Sequence, residues 1–354
     1  MPVNAILSGD APRSRALAAL LLAVLLGLLL APFLFPGSRA LETAARICVF
    51  VVLVASYDLL LGYTGIVSFA HTMFFGIGAY GVAIATREMG PGWGALAVGA
   101  ASGIALAALV ALAIGLFSLR VRAIFFAMVT LAVASAFGLL VSQMFHLTGG
   151  EDGITFRMPR ELTPAYRLLA EPVLGVRIDG RVLSYYLVLA LALAMFLLML
   201  RIVNSPFGRV LQAIRENDFR AEAIGYRTVA YRTAANCLAA GFAAAAGVLM
   251  AIWLRYAGPD TTLSLSIMVD VLLMVVIGGM GTLYGAVLGA VIFILAQNYL
   301  QSLMGAAASA TDFLPLVPRL LDPDRWLLWL GVLFILSVYF FPTGIVGRLR
   351  RGTR

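Results

Sequence analysis

The sequence predicts an all-α, polytopic transmembrane bundle of about ten spans, and three observations carry that expectation. Of 354 residues, 62% are hydrophobic and only 12% charged, where soluble domains average about 25% charged. Mean hydropathy is +1.00. The apolar residues also fall into runs near the roughly 20 residues that a helix needs to cross a ~30 Å hydrocarbon core.

Ten runs meet or approach that length: residues 16–35, 43–62, 66–86, 92–118, 121–145, 183–203, 229–254, 265–278, 284–303 and 326–346, the eighth being the shortest. The first is too long, and too plainly followed by others, for a cleaved signal peptide, and it ends without a tidy small-residue cleavage site. The chain reads as one transmembrane domain over 1–354, interrupted by two long polar loops, 146–182 and 204–228.

Orientation follows from arginine. With the N-terminus in the cytoplasm, inside segments carry Arg13, Arg15, Arg120, Arg122, the six arginines from Arg201 to Arg232 and the four from Arg348 to Arg354, a majority of the 25. Five of the others (Arg157, Arg160, Arg167, Arg177 and Arg181) share the long 146–182 loop with acidic residues, where the positive-inside rule is weak. Both termini are therefore expected inside, 146–182 outside and 204–228 in the cytoplasm.

All 25 basic residues are arginine. Without lysine there is no Walker A phosphate loop and no Schiff-base chemistry, so any ATP driving this protein must be hydrolysed on another chain. The net charge of +8 is dispersed over loops and span ends, which fits membrane topology and lipid rather than nucleic acid. Cys48 and Cys237 lie in apolar runs and read as small buried hydrophobes, giving neither a disulfide framework nor metal-ligand spacing.

Two segments break the apolar pattern. LLLGYTGIVSFAHTMFFGIGAYG, from Leu59 to Gly81, holds five glycines and a polar cluster of Tyr63, Thr64, Ser68, His71 and Thr72. Backbone that leaves helical geometry at membrane depth must be buried in protein or line a water-filled cavity. A tight glycine-packed turn and a pathway-lining element both satisfy that condition. The second break, IGGMGTLYGAVLGA from Ile277 to Ala290, places Gly281, Gly285 and Gly289 four residues apart, the spacing of one close-packing helix face, while Gly278 and Gly279 read as the interruption. Glycine-interrupted segments in both halves of a chain occur near transporter pathways, although no clean internal repeat is visible here.

Asp58 and Asp270 are the carboxylates most clearly placed within spans, each a few residues from a glycine break. An intramembrane ionisable group faces a bundle interior or an aqueous cavity; capping freed backbone is an equal contender. His71 could handle protons, or simply be hydrogen-bonded. Outside, TGGEDGI (Thr148, Gly149, Gly150 and Asp152 among its residues) reads as an ordered turn near an entrance and lacks calcium-loop spacing. No metal site and no catalytic set is expected. HExxH and GxSxG are absent, and Ser68 with His71 one turn apart on a break is weak support for an intramembrane enzyme.

The stretch RENDFRAEAIG, Arg215 to Gly225, is a charged helix candidate between two long apolar runs. Arg215, Glu216, Asn217, Asp218, Arg220 and Glu222 offer donors and acceptors, and Ile214, Phe219 and Ala223 could form an apolar stripe. Either a soluble partner grips it or it is an amphipathic interfacial helix; its interleaved acids disfavour anionic lipid.

LLLGYTGIVSFAHTMFFGIGAY, TGGEDGI, FGRVLQAIRENDFRAEAIG and VVIGGMGTLYGAVLGA, in that order and over nearly the whole chain, resemble the M-type permease subunits of ABC importers for branched-chain and other hydrophobic amino acids. The resemblance implies a bacterial inner-membrane subunit with no cofactor of its own, paired with an H-type permease. Two partner ATPases would bind ATP and Mg, and a periplasmic binding protein would deliver substrate. It also implies that Arg215, Glu216, Asn217, Asp218, Glu222 and Gly225 belong to the ATPase-coupling loop. Asp58, Ile66 and Val67 depart from the asparagine, glutamine and leucine of many members, so leucine, isoleucine and valine are not to be assumed: hydrophobic amino acids lead as cargo, with amides, urea and aromatic acids, carried by similar permeases, as the alternatives. An ion-coupled secondary transporter using Asp58, His71 and Asp270 is the rival class.

Overall fold

The computed structural model describes residues 14–34, 37–118, 123–167, 177–310, 322–340 and 344–351, with Leu7 and Pro12 besides. Arg13, Arg120, Arg122 and Arg354 of the charge asymmetry, residues 35, 121–122 and 341–343 of three expected spans and residues 168–176 of the 146–182 loop lie outside them.

The helices in chain order are α1 (Arg15–Leu34), α2 (Ser38–Thr64), α3 (His71–Met89), α4 (Trp93–Ser118), α5 (Ala123–Gln143), α6 (Phe145–Thr148), α7 (Gly180–Val203), α8 (Pro206–Glu216), α9 (Asp218–Ala223), α10 (Thr228–Leu254), α11 (Pro259–Thr262), α12 (Leu265–Gly278), α13 (Leu283–Ala310), α14 (Trp326–Phe340) and α15 (Gly344–Arg351). Among the described residues, eight helical segments are long and apolar enough to cross a membrane: α1, α2, α4, α5, α7, α10, α11 with α12, and α13.

Two of the ten expected spans fall short of that standard, for different reasons. The run 326–346 yields α14 with 15 residues, followed by the separate helix α15. The run 66–86 does not start as a helix; α3 begins only at His71 and ends on Arg87, Glu88 and Met89. A helix enclosed by protein need not be apolar along its length, and α3 is buried almost throughout, packed between α4 and α10. Its crossing with α10 is set by glycine. A Cβ on Gly78 would overlap the Ala244 carbonyl, and one on Gly247 would overlap the Phe75 carbonyl. Small residues at such a crossing let the backbones meet, which is how helices gain packing energy where lipid offers no hydrophobic drive. Ala239, Ala240, Ala243, Ala244 and Ala246 extend that thin, buried face of α10.

α4 and α5 show the opposite character, with Leu109, Phe117, Ile124, Met128 and Leu139 exposed. Apolar faces of this kind suit hydrocarbon or another membrane chain. The 146–182 loop is tied down by two two-residue strands, β1 (Ile154–Thr155) and β2 (Tyr256–Ala257), paired antiparallel with Ile154 opposite Ala257 and Thr155 opposite Tyr256. A bridge between Arg167 and Asp179 closes the loop's base, and 3-10 turns at Gly150–Asp152 and Arg160–Leu162 fill the rest of its described part.

Candidate functional site

The first break is a re-entrant segment. α2 stops at Thr64 because Gly65 takes a left-handed conformation (φ 74°), its N–H returning to Leu61 O at 3.1 Å and that of Ile66 to Leu60 O at 3.4 Å. That is a glycine helix stop. Residues 65–70 then run back along α2, for His71 Nε2 sits 2.8 Å from Ser56 Oγ. Ser56 precedes Thr64 by eight residues, about 12 Å of helix at ~1.5 Å per residue. α3 thus begins well inside the bundle, and its approach must satisfy freed backbone groups without water. Thr130 Oγ1 accepts from Phe69 N–H at 3.0 Å, and Ser68 Oγ from Ala70 N–H at 3.3 Å. Thr64 Oγ1 donates to Leu60 O at 2.5 Å. Thr64, Ser68, His71 and Thr72 are all buried, as is Tyr63. The recorded partners of Thr64, Ser68 and His71 are protein groups.

The second break lies between α12 and α13. Gly279 (φ 117°) and Gly281 (φ 81°) both use backbone that favours glycine, and Thr282 Oγ1 donates to Gly279 O at 2.8 Å. Gly281 therefore lies in the turn, not on the helix face with Gly285 and Gly289. The glycine spacing of four continued past the helix start, where Gly281 is needed for its φ. The other two do pack closely, Gly285 against Gly278 and Gly289 against Met274 O.

The two breaks meet. Asp58 on α2, 1% exposed, accepts the Gly281 N–H on Oδ1 at 2.8 Å. A Cβ on Gly62 would overlap Asp58 Oδ1 and Gly281 N, so α2 and the turn touch backbone to backbone. Arg215, an exposed residue at the end of α8, donates from its guanidinium to the Gly62 carbonyl at the same point. A Cβ on Gly281 would stand 2.8 Å from Arg215 Nη1, and the arginine charge also acts on the Asp58 carboxylate. One residue of the polar loop thus bonds α2 at the point where it meets the second interruption.

Asp58→Asn keeps an oxygen for Gly281 N–H, so yield and melting temperature in detergent should stay near wild type. Asp58→Leu strands that buried donor at a cost of about 1–3 kcal/mol and should melt several degrees lower. Equal melting of the two variants would remove this bond from the account.

Asp270 is half-buried on α12, beside Gln297 of α13. Asp58, His71 and Asp270 thus lie against separate groups, Gly281, Ser56 and Gln297.

Most of the polar residues expected to face a partner hold the loop itself. Asn217 Oδ1 caps α9 by accepting from Arg220 N–H at 2.9 Å; Arg232 Nη1 pairs with Asp218 Oδ2 at 2.8 Å; Thr228 Oγ1 donates to Glu222 Oε1 at 2.7 Å. Gly225 (φ 99°) makes the turn into α10. Glu216 remains exposed. The apolar stripe divides: Ile214 is 1% exposed and packs inward, whereas Phe219 is 87% and Ile224 68% exposed, beside exposed Ala223. The change of direction at Asn217, between two helices rather than along one, separates Ile214 from the others. Gly62, Thr228 and Arg232 escaped sequence reading because their partners lie on other helices.

At the other face, Thr148 Oγ1 donates to Val141 O at 2.6 Å, Gly149 (φ 75°) and Gly150 (φ 64°) turn the chain, and Asp152 O accepts from Tyr256 OH at 2.9 Å. TGGEDGI is an ordered turn fastened to the β2 strand. Among the described residues, no group of three or more His, Cys, Asp or Glu is placed to hold a metal ion.

A family profile described as branched-chain amino acid transport system / permease component matches residues 39–338. The chain is similar to the high-affinity branched-chain amino acid transport system permease protein LivM of Salmonella typhimurium, 26% identical over 88% of this chain and 71% of that protein. The LivM of Escherichia coli is 25% identical over 87% and 70% respectively. A probable branched-chain amino acid transport permease protein LivM of Methanocaldococcus jannaschii is 28% identical over 46% of this chain. No solved structure matches it. With a multi-pass helical fold and the profile covering most of its length, the chain belongs to the branched-chain amino acid transport system permease family.

Proposed function

We propose that this chain is one of two permease halves of an ATP-driven importer in a bacterial inner membrane, and that it moves apolar amino acids by alternating access. A second, H-type permease completes the pathway, two ATPase subunits bind ATP and Mg at the 204–228 loop, and a soluble binding protein delivers cargo at the 146–182 face. The chain itself catalyses nothing. Nucleotide-driven closure of the ATPases moves α8 and α9, and rigid-body rocking of the spans exposes the pathway to one side and then the other.

The observation that carries this reading is Arg215 on Gly62 beside Gly281. It couples an exposed loop to the two places where membrane helices are interrupted. Ion coupling through Asp58, His71 and Asp270 finds less support, since the three lie against different groups and no bond links them to one another. Branched-chain amino acids are the leading cargo because both bacterial relatives carry that name. The departures at Asp58, Ile66 and Val67 leave amides, urea and aromatic acids to be tried beside them.

Phe219 and Ile224 are exposed apolar side chains on the loop and are its docking contacts. Phe219→Asp with Ile224→Asp should leave the yield of this chain unchanged, since surface substitutions stay within about ±0.5 kcal/mol, while abolishing co-purification of the ATPase subunits. Import of labelled leucine into proteoliposomes should require both ATPases and ATP. Retained co-purification, or uptake by the permeases alone on a proton gradient, would defeat the proposal.

A further inference from the structure

Three helix ends and the outer loop converge on a cleft of about 310 Å³ lined by Glu42, Pro164, Arg181, Trp253, Leu254 and Arg255. Glu42 comes from the start of α2, Arg181 from the start of α7, and Trp253 to Arg255 from the end of α10. It opens on the face of the 146–182 loop, because Arg255 Nη2 donates to Leu162 O at 3.0 Å.

The cleft is organised around two cations. Arg255 is the one non-glycine residue with positive φ (58°) among the described residues. Non-glycine residues seldom adopt that conformation, and such strain gathers at functional sites. Its Nε is buried without a hydrogen-bond partner. Arg181 lies with its guanidinium 5.6 Å from the Trp253 ring centre. Burial, then the Arg181 charge, push the Arg255 guanidinium below its usual pKa, with Asp179 opposing. Two close cations with an unused donor call for an anion. On the same wall Glu42, half-exposed and 3.7 Å from Arg46, supplies one negative charge. Trp253, Leu254 and Pro164 supply apolar surface.

We propose that this cleft is an entry site for a zwitterionic amino acid with an apolar side chain. Arg181 and Arg255 take the carboxylate, Glu42 the ammonium, and Trp253, Leu254 and Pro164 the side chain. The assignment rests on the importer reading. It goes beyond that reading by naming where cargo first meets this chain and which groups select a free amino acid over an amide or a carboxylic acid without an amine.

The test uses the assembled transporter in proteoliposomes, with tritiated leucine presented on increasing amounts of the delivery protein. E42Q and R255Q should each lower the maximal import rate about tenfold or more, the worth of a charge-assisted hydrogen bond. The delivery-protein concentration for half-maximal import should not move, and R255K should recover part of the rate. Glu42 is exposed enough that E42Q carries the test if R255Q fails to assemble on a sizing column. A higher half-maximal concentration at an unchanged maximum would instead assign the arginines to acidic residues of the delivery protein. A defect that appears only with anionic lipid would assign them to headgroups. Unaltered import by the variants overturns the entry site alone; absence of ATP-dependent import by the wild type overturns the importer reading as well.

Discussion

Arg215→Ala is expected to lower import roughly ten- to hundredfold while leaving the ATPase subunits bound. The side chain turns inward to the Gly62 carbonyl, so its loss spares Phe219 and Ile224, the exposed groups proposed to dock. What disappears is the charged hydrogen bond joining α8 to Gly62 of α2, beside the Gly281 turn, a contact class worth about 1.5–3 kcal/mol. A coupling of that size corresponds to roughly ten- to hundredfold in the fraction of nucleotide-driven closures that reach the spans. Import should fall by about that factor, and ATP hydrolysis stimulated by the loaded binding protein should fall with it or become unregulated. Arg215→Lys keeps the charge but lacks the planar fork, and should recover only part of the loss. Wild-type import by the alanine variant would show that the loop drives the spans through other contacts.

The largest effect on stability is expected from Gly247→Ala. One methyl group at that position would overlap the Phe75 carbonyl oxygen and lie 3.1 Å from the Ala79 nitrogen. Neither neighbour is a flexible side-chain end. Backbone on both sides must shift, and overpacking of this kind costs about 1–3 kcal/mol or more. Because α3 and α10 also form the centre of the bundle, the strain spreads to α2 and α4, and little folded protein should be recovered from membranes. Gly241→Ala is the control, for its nearest neighbour is a side-chain atom of Ile104 at 3.8 Å, an ordinary contact. Equal recovery of the two variants, measured by fluorescence-detected gel filtration, would contradict the close crossing.

The sequence made the bundle legible because hydrocarbon imposes a length: of the ten apolar runs, seven became single helices of spanning length, and the short run 265–278 reaches that length only together with α11. The glycine-rich interruptions were also visible, since positive φ leaves a compositional mark at Gly65 and Gly279, whereas Gly281 was hidden by its spacing of four from Gly285 and Gly289. Depth was not visible. Nothing in TGIVSFAH states that His71 lies level with Ser56; that follows from a hydrogen bond between residues on two helices. The charged loop could be recognised by type, but the division of labour within it depends on geometry, and Asp218 and Glu222 turned to Arg232 and Thr228. The Arg181 and Arg255 cleft left no local signature at all. Its residues are contributed by separate helix ends, and each looks like an ordinary interfacial side chain when read alone.

α10 runs unbroken from Thr228 to Leu254, 27 residues without a proline, roughly 40 Å at ~1.5 Å per residue. At one end it is anchored to α9 by Arg232 on Asp218 and Thr228 on Glu222; at the other it passes into β2, which is stitched to the outer loop. Such a rod behaves as a lever. Tilting it by about 5° displaces its far end by roughly 3 Å at that length, enough to break or re-form the hydrogen bonds that fasten the loop. A small push at one membrane face would thus arrive at the opposite face at once and magnified, with no relay of side chains between.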